Sequence, residues 1–182
     1  MYGVDVHPHL IKALYEKNRG VRLEAQRVLI CRPAREHRAH VRRLVRELGS
    51  AAHKSRVARV LAGLDAERAR ESLYALLTDA RVENRFAALD GLSSNPRPED
   101  ARHVLPLLAD PDLGIRKRTC VALGRLKCEE AIPDLISLLR QEQVGLTKDA
   151  HWALERISGV RLRRDASLWE TWWELRVRLP EE

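Results

Sequence analysis

Leucine pairs recur in this chain at a fixed interval: Leu76-Leu77, Leu107-Leu108 and Leu138-Leu139 stand 31 residues apart. A second marker is a small or branched residue, then Leu, two variable positions and an apolar residue. It begins at Val60, Ala88, Ala122 and Ala153, in steps of 28, 34 and 31 residues. Intervals of this size mark stacked supersecondary units, each with an apolar face that only a neighbouring unit can cover. A chain built this way has to propagate one shared core along its length.

The clearest unit lies in residues 110–157. Asp110-Pro111-Asp112 reads as a turn, because Pro111 fixes φ and has no N–H to donate. Asp112 is placed to cap a helix starting near Leu113. Ile115, Thr119, Ala122, Leu123 and Leu126 then fall on one helical stripe, with Arg116, Lys117 and Arg125 off it. Cys128-Glu129-Glu130 interrupts the pattern. Pro133 falls in the first turn of a second helix, where its missing N–H does no harm. Ile132, Leu135, Ile136 and Leu139 form the apolar face of that helix.

These residues resemble the bacterial HEAT-repeat family, in particular the short type named after phycobilisome lyases. The pattern D-P-D-x-x-[IV]-R, A-L-G-x-L, A-I-P-x-L-x-x-L-L is close over residues 110–139, fair over 72–92 and 149–157, and loose before Gly63. Arg81-Val82-Glu83 and Gln141-Glu142-Gln143 are read as replacing the Asp-Pro-Asp turn, and Thr147 as replacing the Arg matched by Arg85 and Arg116. The resemblance implies an all-α fold: a right-handed α-solenoid of about five antiparallel helix pairs, the second helix of each pair lining the concave side. It also implies a structural ladder in which Arg85 and Arg116 pair with turn acids such as Asp110 and Asp112 of adjoining repeats.

Taken in order, the chain is expected to form a single domain over residues 1–182. Residues 1–31 read as a degenerate N-terminal capping repeat, with Asn18-Arg19-Gly20 ending its first helix. Val21, Ala25, Val28 and Leu29 are inward on the second. Repeats follow at 32–64, 65–95, 99–128 and 129–158, with Val57, Val60, Leu61 and Leu64 inward and 93–98 as a longer loop. Residues 159–182 form a Trp-rich C-terminal cap. Leu168, Trp172 and Leu175 share a face there, with Trp169 and Trp173 beside it. The same cluster, left uncovered, makes Trp169 and Trp173 an aromatic docking site.

Charge is distributed unevenly. Residues 1–64 hold 14 Lys and Arg against 5 Asp and Glu, and the rest of the chain holds 19 against 21, so the net +7 arises wholly in the first third. Between Arg32 and Arg59 lie nine cations against Glu36 and Glu47 alone. Such asymmetry speaks to partners rather than to fold. It makes Arg42, Arg43, Arg46, Arg56 and Arg59 the candidate contacts for an acidic protein surface or, alternatively, for duplex nucleic acid. No aromatic residue occurs from Val21 to Leu73, which argues against a single-strand binder.

Catalytic signatures are sparse. The chain has no phosphate-binding loop, no H-E-x-x-H and no nucleophile elbow. Cys31, Cys120 and Cys128 lack metal spacing and form no even-numbered disulfide set, and Cys120 reads as a core residue. His37 and His40 are the only pair at helical reach that invites comparison with a metal site, and no metal or cofactor is expected. Asp149 and Trp152 superficially match the groove residues of HEAT-like DNA glycosylases, but the chain is shorter than that family. No apolar run approaches a membrane span and Met1 to Val6 has no signal-peptide core, so a soluble cytoplasmic protein without membrane association is expected.

Overall fold

The computed structural model describes residues 7–31, 54–64, 67–141, 143 and 145–178, and it is all-α, with no strand among these residues. Two compact units divide between Asn95 and Pro96, inside the segment read as an inter-repeat loop. Within each unit, helices adjacent or one apart in sequence pack against one another, which is the arrangement of a helical repeat.

The first unit contains α1 (His7–Ala13), α2 (Arg19–Ile30), α3 (Lys54–Gly63), α4 (Glu67–Leu77) and α5 (Val82–Ser94). Helix α2 packs on α1 and α3, and α5 packs on α3 and α4. Val57, Val60, Leu61 and Leu64 are buried as expected, and meet Leu73, Leu77, Leu89 and Leu92 in one apolar core. Each such side chain contributes about 1.5–3 kcal/mol by leaving water. Helices α3 and α5 approach so closely that a Cβ on Gly91 would lie 2.7 Å from the Ala58 carbonyl oxygen. A large charged side chain in this core, Arg70, is 2% exposed. It donates to the carbonyls of Ala62 at 2.9 Å and Asn95 at 2.7 Å, while Asn95 Nδ2 also donates to Ala62 at 2.8 Å. These bonds tie the end of α5 to the end of α3.

Two expectations for the N-terminal helices need correction. Asn18 starts α2 instead of ending α1: its Oδ1 accepts from the Gly20 and Val21 N–H groups at 2.8 and 3.4 Å. Asn favours both positions, and the short α1 already ends at Ala13. Consequently only Ala25 and Leu29 of the expected stripe are buried, while Val21 is 43% exposed.

The second unit begins with a helix broken in three, Pro98–Asp100 and Leu105–Ala109 as 3-10 turns on either side of α6 (Ala101–Val104). Pro106 cannot donate an α-helical hydrogen bond, which accounts for the tightening after Val104. Then come α7 (Leu113–Leu126), a 3-10 turn at Glu129–Ala131, α8 (Ile132–Arg140), α9 (Leu146–Ser158) and α10 (Ala166–Arg178). Asp112 caps α7 by accepting from the Ile115 N–H at 3.0 Å. Ile115, Thr119, Ala122 and Leu123 are buried, as the stripe requires, and so are Cys120 and Gly124. Helix α9 packs on α7 and α8, and α10 on α8.

Helix α10 closes this unit with the other face from the one expected. Leu168 and Leu175 are 44% and 55% exposed, whereas Trp169 is fully buried. An indole covers more apolar area than leucine, and turning the helix by one position puts it inward. Trp169 meets His151 and Trp172 edge-on, with ring centroids 6.0 and 5.5 Å apart. The docking role for Trp169 is therefore corrected to a core role, and Trp173 is half-buried. Among the described residues no helix is long and apolar enough to cross a membrane.

Candidate functional site

The N-terminal cations come first. Arg42, Arg43 and Arg46 lie outside the described residues, as does the side chain of Arg56. Arg59 projects from α3 toward α5, its Nε and Nη2 at 2.9 and 2.8 Å from Asp90 Oδ2. Its charge is thus met within the fold by a carboxylate that is only 10% exposed. Asp90 had no place in the sequence reading, because its partner lies 31 residues away.

The two arginines of the expected ladder do the same job in both units. Arg85 Nη1 donates to the carbonyls of Asp79 and Ala80 at 3.0 and 3.2 Å. Arg116 Nη1 donates to those of Asp110 and Pro111 at 2.7 and 3.2 Å. Each guanidinium thus clamps backbone oxygens of the turn leading into its own helix. Arg116 also reaches the following turn through Nη2, 3.0 Å from Gln143 Oε1. Asp110 Oδ1 accepts from the Asp112 N–H at 2.8 Å, and Asp79 Oδ1 from the Arg81 N–H at the same distance. The Asp-Pro-Asp turn therefore corresponds to Asp79-Ala80-Arg81, two residues before the segment assigned to it from the sequence. All four ladder residues, Arg85, Arg116, Asp110 and Asp112, are engaged inside the turns.

A third surface was not singled out as a site from the sequence. Helix α7 carries Arg116, Lys117, Arg118 and Arg125 and no acidic residue. On α9, Trp152 is 37% exposed, with the Arg156 guanidinium 5.8 Å over its ring. The six-membered ring lies against α7 at Gly124, where a Cβ would come within 2.7 Å of Trp152 Cζ3. Asp149, the other residue of the glycosylase comparison, lies 4.0 Å from Lys117 Nζ. The spacing of Trp152 and Arg156, four positions on one helix, was a legible signal for a stacked cation.

Cysteine chemistry is quiet. Burial, and secondarily the Asp149 charge, pushes the Cys120 thiol up to about 12. Burial also raises Cys128, and Cys31 is exposed. No group of three His, Cys, Asp or Glu side chains that would hold a metal occurs among the described residues.

Comparison with known proteins agrees with this architecture. Residues 121–141, the end of α7 through α8, match the family described as PBS lyase HEAT-like repeat. The crystal structure of an engineered protein from the Northeast Structural Genomics Consortium is similar to 95% of this chain over 90% of its own length. It has a TM-score of 0.52 and 23% identity, which bears on the fold alone. No curated protein matches the sequence.

Proposed function

Taking the chain as a HEAT-like repeat protein, we propose that it is a non-catalytic scaffold of the cytoplasm that binds another protein. The contacts are the exposed faces of its repeat helices and the basic N-terminal surface of Arg42, Arg43, Arg46, Arg56 and Arg59. Stacked helix pairs offer extended, rigid surfaces of the kind such partners use. The observation that carries this reading is the charge balance: 14 cations against 5 anions in the first 64 residues. A partner with an acidic surface complements that excess.

The test is an affinity pull-down with the wild-type chain and with Arg42→Glu, Arg43→Glu and Arg46→Glu combined. The triple variant is expected to lose the partner. A partner retained at wild-type yield removes the basic surface from the site. Duplex DNA in an electrophoretic shift assay addresses the alternative reading, nucleic-acid binding through the same cations. Retardation at low salt that collapses as salt rises supports it, and none at low salt removes it.

A further inference from the structure

We propose that the exposed face formed by α7 and α9 is a second binding surface, and that its ligand is an acidic peptide segment of a partner protein. In this proposal Arg156, stacked on Trp152, grips a carboxylate. The inference rests on the reading of the chain as a protein-interaction module, but not on the N-terminal cations.

Three observations converge on it. First, the charge of this face is one-sided. Helix α7 supplies four cations and no carboxylate, and α9 adds Lys148 and Arg156 against Asp149 and Glu155. Arg116 is committed to its turn and Lys117 faces Asp149. Arg118 and Arg125 have partners as well, and the exposed Lys148 and Arg156 remain. Second, Arg156 makes no hydrogen bond or ion pair among the described residues, only its contact with the Trp152 ring. A guanidinium laid over an indole keeps its in-plane N–H donors directed outward. That planar fork fits a carboxylate bidentately. Third, Trp152 is held in place by the close approach of α7 at Gly124 and still leaves 37% of its surface uncovered. Aromatic and arginine side chains fixed in this way are the residue types that anchor protein interfaces.

The same geometry favours a peptide over single-stranded nucleic acid. A base needs an open aromatic face to stack on. Here Arg156 covers the ring and Gly124 lies against it.

The experiment follows the indole N–H resonance of Trp152 in the full-length wild-type chain, assigned with Trp152→Phe. The titrant is a synthetic peptide of about 20 residues with Glu at alternate positions, at about 50 mM salt so that screening is modest. The expected result is a saturable shift of the Trp152 signal that a matched Gln peptide does not produce. Arg156→Glu is expected to weaken this binding about tenfold, and Arg156→Lys about threefold, since Lys keeps the charge and loses the planar fork. Both positions are exposed, and unchanged circular dichroism confirms that the variants are folded. The proposal is overturned if the Trp152 signal stays still at saturating peptide or if Arg156→Glu binds as wild type does. It is equally overturned if a single-stranded DNA of about 20 nucleotides shifts the signal at lower concentration than the peptide. Combined Arg42→Glu, Arg43→Glu and Arg46→Glu leaves the Trp152 shift in place, so failure of the N-terminal surface and failure of this one are separate results.

Discussion

The two units solve one problem with different chemistry. Both must bring consecutive repeat helices into near contact and then close the end of a core. In the first unit the closing group is a guanidinium, Arg70, which is nearly inaccessible and spent on the carbonyls of Ala62 and Asn95. In the second it is an indole, Trp169, packed edge-on between His151 and Trp172. Their exposed faces differ in the same sense. Arg59 and Asp90 stand 31 residues apart and neutralise each other, whereas the positions that continue this interval are Val121 and Trp152. At that position the first unit turns a matched charge pair outward, and the second turns out the Trp152 ring with Arg156 over it, the feature on which the proposed second binding face rests.

Replacing the two closing groups is expected to produce the largest effects. Trp169→Ala should destabilise by about 4 kcal/mol in urea unfolding, as removal of a buried indole does. Trp169→Phe should cost far less, because the indole N–H has no acceptor among the described residues and its loss is no penalty. Arg70→Leu should cost about 2 kcal/mol, since Asn95 still donates to the Ala62 carbonyl after the change. Equal costs for Arg70→Leu and Trp169→Ala would erase the contrast between polar and aromatic closure.

The helix contacts come next. Gly91→Ala should cost about 3 kcal/mol, because the added methyl meets the fixed backbone of Ala58. Gly124→Ala should cost about 2 kcal/mol, because the added methyl meets the Trp152 ring at 2.7 Å and the Ala153 backbone Cα only at 3.0 Å, a milder clash with fixed backbone than at Gly91. Denaturant midpoints of the two variants rank them directly. The smallest effect is one of pH. The position 31 residues before Cys120 is Leu89, so only the second unit carries an ionisable group there. The folded-state thiol is raised from 9.0 to about 12, so its stabilising contribution is complete below pH 9 and is lost as pH climbs toward 12. At pH 10 the wild type should have lost about 1 kcal/mol more than Cys120→Ala, measured against pH 8. Parallel pH dependences would show that the thiol is not protected by the fold.

Local rules made much of this readable. The stripe of α7, the Asp112 cap and the positions of α3 and α8 follow from helical periodicity and from which residues cap helices. The departures share a cause, which is that several residue types serve two purposes. Asn18 suits either end of a helix, and only the length of α1 decides. Asp79-Ala80-Arg81 lacks the Pro and second Asp of Asp-Pro-Asp, because the turn needs only the leading aspartate and the arginine six positions on. Trp169 and Leu168 are neighbours on α10, and which of them is buried depends on how α10 meets the rest of its unit. Arg59–Asp90 and Gly124–Trp152 join residues about one repeat apart, which no local window reports. The Arg156–Trp152 stack, by contrast, was open to view in an i, i+4 spacing.

The turn clamp has a consequence for how such a chain changes length. Because Arg85 and Arg116 satisfy oxygens of the turns directly before them, a segment of 31 residues carries its own polar matching when it is copied or lost. Excising one cassette would break contacts that cross repeats, such as Arg116–Gln143 and Arg59–Asp90, and leave the turn carbonyls clamped. Recombination can therefore add or remove whole units while each surviving turn keeps its own arginine.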